Sequence, residues 1–115
     1  MINRGTSLAI EMSDKLKKCA AKLIKLAGLP KRDIKPILKT ASRRLVDVLS
    51  EIAYNVKNGA VSVTDKIKNS KVVKILGNKL SNLKTKKTVL CTAAAPIVVQ
   101  IILTACIEIL KALCN

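Results

Sequence analysis

The chain has no histidine, tryptophan or phenylalanine, and Tyr54 is its only aromatic residue. The absence of histidine removes the commonest general base and the commonest nitrogen ligand of metal ions. The scarcity of aromatic rings removes the side chains on which proteins stack nucleobases. Both absences argue against a metal-dependent enzyme and against sequence-specific recognition of nucleic acid.

Motifs of enzyme chemistry are also missing. The sequence contains no glycine-rich phosphate loop and neither a GxSxG nor an HExxH pattern, which are the spacings that position phosphates, nucleophiles or zinc. Its seven acidic residues are scattered along the chain. We therefore expect a protein without catalytic residues, bound metal, cofactor or small-molecule substrate.

Acidic residues are few compared with basic ones, seven against 22, and the net charge is +15. This charge is far larger than solubility requires of a small domain. Such a charge repels itself and destabilises the compact state unless anions neutralise it. The composition therefore predicts a polyanionic partner, which is an anionic membrane, a nucleic acid or an acidic protein surface.

The charge is concentrated in one part of the chain. Every basic residue except Lys111, and every acidic residue except Glu108, lies within residues 1–87. A chain of 115 residues has the usual size of a single domain. We therefore predict a cationic amphipathic helical region at 1–87 and an apolar C-terminal helix at 88–115, which is either part of the same domain or a membrane anchor.

The spacing of apolar residues predicts an all-α fold of about four helices, of which three are Lys-rich and amphipathic. The first would begin at Thr6 or Ser7 and stop at Gly28, with an apolar stripe of Leu8, Met12, Leu16, Cys19, Leu23 and Leu26. The second would enter through Asp33 and Pro36 and close at Asn58 and Gly59, with a stripe of Ile37, Leu38, Ala41, Leu45, Val48, Leu49, Ile52, Ala53 and Val56.

The third predicted helix runs from about Val63 to Leu83, although Gly77 and several β-branched residues weaken it. Its inward residues would be Ile67, Val73, Leu76, Leu80 and Leu83.

The fourth predicted helix lies in the apolar segment. From Val89 to Ile107 no residue is charged, and this length is about what a helix needs to cross a bilayer. Its nine Leu, Ile and Val residues favour insertion by roughly 4 kcal/mol in total, before the opposing contributions of Pro, Gln and Thr. Pro96 suits the first turn of a helix, and a helix from Pro96 to Leu113 would be apolar on most of its circumference. We expect this helix to be a bundle core or membrane-inserted, through Ile97, Val98, Ile101, Ile102, Leu103, Ile107 and Leu110.

The candidate residues for binding an anionic surface are clusters of Lys and Arg. Four Lys repeat at steps of three and four beside the first apolar stripe, a pattern typical of helices that rest on anionic lipid. Cations in the connector after the first helix, within the second predicted helix and before the apolar segment complete the set: Lys15, Lys18, Lys22, Lys25, Lys31, Arg32, Arg43, Arg44, Lys84, Lys86 and Lys87.

The four cysteines, Cys19, Cys91, Cys106 and Cys114, match no zinc motif. No secretory signal is predicted, because the first residues contain no apolar stretch. We expect reduced thiols that act as small buried hydrophobic groups, with a disulfide from Cys19 to a C-terminal cysteine as the alternative.

The combination of high charge and an apolar run of insertion length predicts a non-enzymatic structural or assembly protein. A minor or core component of a virion or similar assembly fits this description, membrane-associated and in contact with other protein subunits. A membrane-permeabilising cationic protein is one alternative. A soluble helical bundle that binds nucleic acid nonspecifically, with strong salt dependence, is the other.

Overall fold

The computed structural model describes residues 14–113, which form helices and connecting turns without a β-strand. This confirms the predicted all-α class. The described residues contain eight helices, here numbered in chain order: α1 (Asp14–Ala27), α2 (Lys31–Lys39), α3 (Arg43–Lys57), α4 (Asp65–Lys68), α5 (Lys71–Leu76), α6 (Leu83–Leu90), α7 (Ala95–Ala105) and α8 (Ile107–Leu113).

Helix α1 corresponds to the first predicted helix. It ends at Ala27, directly before Gly28, as the sequence indicated. Its buried residues include Leu16, Cys19, Leu23 and Leu26, so the predicted stripe faces the core. The predicted N-terminal part, with Thr6, Ser7, Leu8 and Met12, lies outside the described residues.

The second predicted helix is divided into α2 and α3. Pro36 lies inside α2 and does not begin it, because α2 starts at Lys31 after Pro30. The division occurs at Ser42, whose side chain accepts a hydrogen bond from the backbone N–H of Leu45 and so starts a new helix. The predicted end is correct, since Gly59 has φ +82° and closes α3 in the left-handed conformation that ends many helices.

The third predicted helix is divided as well. It becomes the short helices α4 and α5, and α5 starts at the N-cap Ser70. Gly77 ends α5. A Cβ atom at Gly77 would lie 2.9 Å from the carbonyl oxygen of Ala53, so the residue type is required by close packing of α5 on α3. Leu80 was predicted to face inward, but it lies in the turn after α5 and is 93% exposed.

The apolar segment forms the end of α6, then a turn, α7 and α8. Helix α6 spans residues on both sides of position 87. Pro96 lies in the first turn of α7, where it was expected. No helix within residues 14–113 has both the length and the hydropathy of a bilayer span. Helices α6 and α7 meet this criterion only as a pair, and the pair is bent by 101° at the break between them.

Helix α7 lies at the centre of the molecule, in contact with α1, α2, α3, α5, α6 and α8. Helix α8 packs on α1, and α5 and α6 pack on α3. The core is aliphatic because the chain has almost no aromatic residues. Its largest fully buried side chains include Leu16, Leu23, Ile34, Leu38, Leu49, Leu76, Leu90, Ile102, Leu103 and Leu110.

Gln100 is the polar residue in the middle of α7. Its side-chain amide donates hydrogen bonds to the carbonyl oxygens of Ala27 at 3.3 Å and Leu29 at 2.7 Å. The last carbonyl groups of a helix have no partner within that helix. Gln100 therefore provides a hydrogen-bond donor for carbonyl groups at and after the end of α1. These hydrogen bonds hold the connector between α1 and α2 against the central helix.

Candidate anion-binding surface

Helices α1 and α3 run in opposite directions beside each other. Near the start of α1, the Lys15 Nζ atom lies 3.1 Å from Oδ2 of Asp47 in the first half of α3. Near the end of α1, Lys22 and Lys25 line the same depression as Arg44 and Leu45 at the start of α3. The pair therefore has two ends with different surroundings, and each end contains a depression in the surface.

The depression at the end of α1 is a groove of about 360 Å³. Its floor consists of the buried residues Cys19, Leu23 and Leu26. Its walls come from the connector and from the α2 and α3 helices, through Leu29, Ile37 and Leu45, with Lys22, Lys25, Arg44 and Ser42 completing the lining. We call this depression the apolar groove. It has an aliphatic interior and a cationic rim.

The charge of the rim is not compensated by the residues that line the groove, among which there is no Asp or Glu. Lys25 lies in the last turn of α1, where the helix dipole favours a cation. Arg44 lies in the first turn of α3, which contains no acidic residue. A cation at a helix N-terminus is unfavourable, so a bound anion near Arg44 would relieve this repulsion.

The depression at the opposite end is a larger cleft of about 570 Å³, which we call the mixed-charge cleft. Three of its residues are acidic and three are lysines: Asp14, Asp47, Glu51, Lys15, Lys79 and Lys86. The Lys79 Nζ atom also lies 4.2 Å from the centre of the Tyr54 ring, within range of a cation–π interaction. The charges of this cleft balance one another.

The mixed-charge cleft was not predicted from the sequence. A signal was available, because Asp47 and Glu51 are four residues apart on one helix face and Tyr54 follows three residues later. Two of the predicted anion-binding residues line this cleft, where carboxylates surround them. Lys15 pairs with Asp47, and Lys86 is half-buried among the cleft residues.

The remaining predicted cations are distributed over the surface. Lys84 and Lys87 line a shallow depression together with Leu83, Thr88 and Cys91. Lys18, Lys31, Arg32 and Arg43 are exposed and line none of these depressions. Of the eleven predicted residues, the structure thus gathers Lys22, Lys25 and Arg44 around one apolar groove.

The predicted apolar residues of the C-terminal segment fall into two groups. Val98, Ile102, Leu103 and Leu110 are buried in the core, and Ile107 is half-buried. In contrast, Ile97 and Ile101 are 42% and 37% exposed. They lie four residues apart and so share one side of α7. The outer side of α7 is therefore uncharged and exposes aliphatic side chains beside Thr104.

The cysteines that the structure describes are free thiols. Cys19 and Cys106 are buried, as expected, and burial raises the pKa of the Cys106 thiol to about 11. Cys91 is exposed because it lies in the turn that follows α6, so the expectation of a buried side chain was wrong for this residue. Cys114 lies outside the described residues. Within residues 14–113, no three His, Cys, Asp or Glu side chains are grouped as metal ligands.

Comparison with known proteins gives no relationship: no protein-family model matches the chain, and neither a curated protein nor a solved structure is significantly similar to it.

Proposed function

We propose that this protein is a non-enzymatic structural or assembly protein that binds an anionic lipid surface through the cationic face around the apolar groove. The observation that carries the proposal is the combination of an aliphatic interior with a rim of Lys22, Lys25 and Arg44 in a groove whose lining contains no carboxylate. Proteins that rest on a membrane use apolar contact and electrostatic attraction to anionic head groups together.

The same combination favours lipid over nucleic acid. Binding to a phosphate backbone requires cations alone and gains nothing from an aliphatic groove. Single-stranded nucleic acid is usually bound by stacking on aromatic rings, and Tyr54, the only ring in the chain, lies in the mixed-charge cleft with Lys79 above it.

Binding through the folded surface is favoured over insertion of the apolar helix. Extracting α7 would expose the apolar faces of the helices around it, at about 1.5 to 3 kcal/mol for each large side chain that loses its burial. Several such side chains, among them Leu23, Ile34 and Leu49 on three of these helices, are fully buried. This cost exceeds the roughly 4 kcal/mol of insertion free energy that the apolar segment offers.

The exposed side of α7 supports an assembly role with other protein subunits, such as a virion component or part of a membrane-bound lattice. Ile97 and Ile101 lie there in a stretch without charge, so a contact on this side would place no like charges directly opposite each other.

The test is flotation of the full chain with vesicles of phosphatidylserine and phosphatidylcholine, compared with vesicles of phosphatidylcholine alone. We expect co-flotation with the anionic vesicles only, and a decrease when the salt concentration rises, because exposed charges are screened beyond about 10 Å at 0.1 M salt. The protein should leave an encapsulated dye inside the vesicles.

Two results would contradict this proposal. Rapid dye release from anionic vesicles would identify a permeabilising protein instead. Failure to float, combined with DNA binding that weakens steeply with salt and is equal across sequences, would identify a nonspecific nucleic-acid binder.

A further inference from the structure

The apolar groove has the features of a site for one acyl chain. Its volume of about 360 Å³ lies within the range of roughly 300 to 1,000 Å³ in which small-molecule pockets are found. Its floor is formed by side chains that are at most 8% exposed, namely Cys19, Leu23 and Leu26. A hydrocarbon chain in the groove would therefore contact aliphatic groups on the floor and along both walls.

The charged groups of the groove indicate which head group a bound ligand would carry. Lys22, Lys25 and Arg44 are long cations at the rim, and the lining includes no carboxylate that would neutralise them. Lys and Arg are the residues that bind phosphate and carboxylate groups, and Arg does so with two parallel hydrogen bonds. An amphiphile with an anionic head and an apolar tail matches both parts of the site.

Charge also argues against the other natural occupant of such a groove, a second copy of the chain. Each copy has a net charge of +15, and like charges placed together across an interface cost several kcal/mol. A second copy would bring further cations to a rim that already holds three. An anionic amphiphile would instead lower the repulsion at this end of the molecule.

We propose that the apolar groove binds one acyl chain of a single-chain anionic amphiphile, with its phosphate or carboxylate held by Lys22, Lys25 and Arg44. This inference rests on the proposed function, because it identifies the lipid chemistry that the same surface recognises. It goes further in assigning a defined site with one ligand for each protein molecule, whereas attraction to a charged membrane requires no pocket.

The test is titration calorimetry of the full-length protein with dodecyl phosphate below its critical micelle concentration. Dodecylphosphocholine has the same chain and a zwitterionic head group without net charge, and inorganic phosphate has the anion without the chain. We expect one-to-one binding of dodecyl phosphate that is at least about tenfold tighter than that of dodecylphosphocholine, because the choline cation of dodecylphosphocholine offsets the attraction between its phosphate and the rim cations. Inorganic phosphate should bind at least about tenfold more weakly than dodecyl phosphate, because it buries no apolar surface.

A pair of variants locates the site. Ile37→Asp places a carboxylate on the groove wall, whereas Leu80→Asp makes the same change of charge at a residue outside the groove. Both residues are exposed, at 37% and 93%, so both variants should fold, which circular dichroism will check. We expect Ile37→Asp to weaken dodecyl phosphate binding at least about tenfold and Leu80→Asp less than about twofold, because a desolvated carboxylate on the wall repels the head group and removes apolar contact.

Several results would overturn the inference. Equal affinity for dodecyl phosphate and inorganic phosphate would mean that the chain contributes nothing, and equal weakening by the two variants would place the site elsewhere. A dimer that fails to bind dodecyl phosphate and dissociates in the Ile37→Asp variant would identify a second copy as the occupant. The wild-type titrations test the inference even if the Ile37→Asp variant does not fold.

Vesicle flotation in parallel separates this inference from the proposed function. Flotation without dodecyl phosphate binding would contradict the groove site and leave the lipid-surface function supported. Binding of dodecyl phosphate without flotation would support the groove site and contradict the membrane-surface function. If the protein neither floats with the vesicles nor binds dodecyl phosphate, the groove site and the lipid-surface function are both contradicted.

Discussion

The two ends of the α1–α3 pair differ in whether their cations lie beside carboxylates. At the mixed-charge cleft, Lys15 forms an ion pair with Asp47, and the three lysines of the lining face three carboxylates. At the apolar groove, Lys22, Lys25 and Arg44 line aliphatic walls among residues that include no carboxylate. The same two helices therefore provide one end whose lysines lie among carboxylates and one end whose lining contains cations without a carboxylate.

This difference shows that a count of lysines says little about which of them bind a partner. Lys15 and Lys22 are seven residues, or about two helical turns, apart on α1, and both are exposed and identical in type. They differ only in what α3 brings opposite them, a carboxylate in one case and a guanidinium in the other. A candidate anion-binding site in a strongly basic protein is therefore recognised by the absence of compensating acids as much as by the presence of cations.

The largest effect is expected on vesicle binding when the three cations of the apolar groove are neutralised. Neutralising the three lysines of the mixed-charge cleft provides the comparison. The triple variant Lys22→Gln, Lys25→Gln and Arg44→Gln should weaken binding to phosphatidylserine vesicles roughly a hundredfold, because each cation near an anionic surface contributes about 1 kcal/mol. Lys15→Gln, Lys79→Gln and Lys86→Gln lower the net charge equally but should weaken binding less than about tenfold, because the cleft cations face carboxylates. Quantitative vesicle sedimentation measures both affinities, and equal losses would show that net charge alone governs binding.

The second prediction compares the packing of the two ends through their glycines. Gly77→Ala places a Cβ atom 2.9 Å from the carbonyl oxygens of Ala53 and Val73, and such overpacking should lower the free energy of unfolding by about 1 to 3 kcal/mol. In Gly28→Ala the nearest atom is the Lys25 carbonyl oxygen at 3.6 Å, so stability should be unchanged or raised by up to about 1 kcal/mol. Urea denaturation of both variants provides the measurement. An unchanged free energy of unfolding in Gly77→Ala would mean that α5 does not pack closely on α3.

The third prediction concerns the connector that supplies Leu29 to the groove wall. Gln100→Leu removes the amide that donates to the Ala27 and Leu29 carbonyl groups. The free energy of unfolding should fall by about 1 to 3 kcal/mol, because part-buried carbonyl groups lose their partner. Thermal unfolding will measure this effect. Thr104→Leu, an exposed position one turn further along α7, is the control and should change stability by no more than about 0.5 kcal/mol. Equal stability of the two variants would exclude a role for Gln100 in holding the connector.

The smallest effect on stability is expected for the ion pair of Lys15 and Asp47. A double-mutant cycle on Lys15 and Asp47 should give a coupling free energy of about 0.2 to 1 kcal/mol, since exposed ion pairs contribute little and these side chains are 57% and 32% exposed. The pair of Lys111 and Glu108, at 3.6 Å and more exposed, should couple by no more than about 0.5 kcal/mol. Urea denaturation at low and high salt measures both. A coupling well above 1 kcal/mol at the mixed-charge cleft would mean that its charges stabilise the fold strongly.

Much of the fold was predictable because its signals are local. The stripe of Leu16, Cys19, Leu23 and Leu26 is buried as its spacing indicated, and Gly28 and Gly59 end helices where expected. The interruptions were not predicted. At Ser42 and Ser70, a hydroxyl group that caps a new helix competes with continuation of the old one. Apolar periodicity continues through such residues and does not reveal which outcome is more stable.

The candidate site was predictable only as a collection of cations. Lys22 and Lys25 were recognisable as neighbours because their positions differ by three on one helix. Arg44 and Ile37 belong to different helices, and their place at the groove depends on the break at Thr40 to Ser42 that separates α2 from α3. A single continuous helix, as the stripe suggested, would have carried Ile37 along the same face as Leu45 and Val48.

The sequence by itself determined the all-helical class, the aliphatic core and the excess of positive charge, because helix propensity, hydrophobic spacing and composition act over a few residues or over the chain as a whole. Only the tertiary structure decided which cations are paired, which line a groove and which polar groups are satisfied. These outcomes depend on contacts such as Lys15 with Asp47 or Gln100 with Leu29, whose partners are 32 and 71 residues apart. Such contacts form only when the packed helices bring distant residues together.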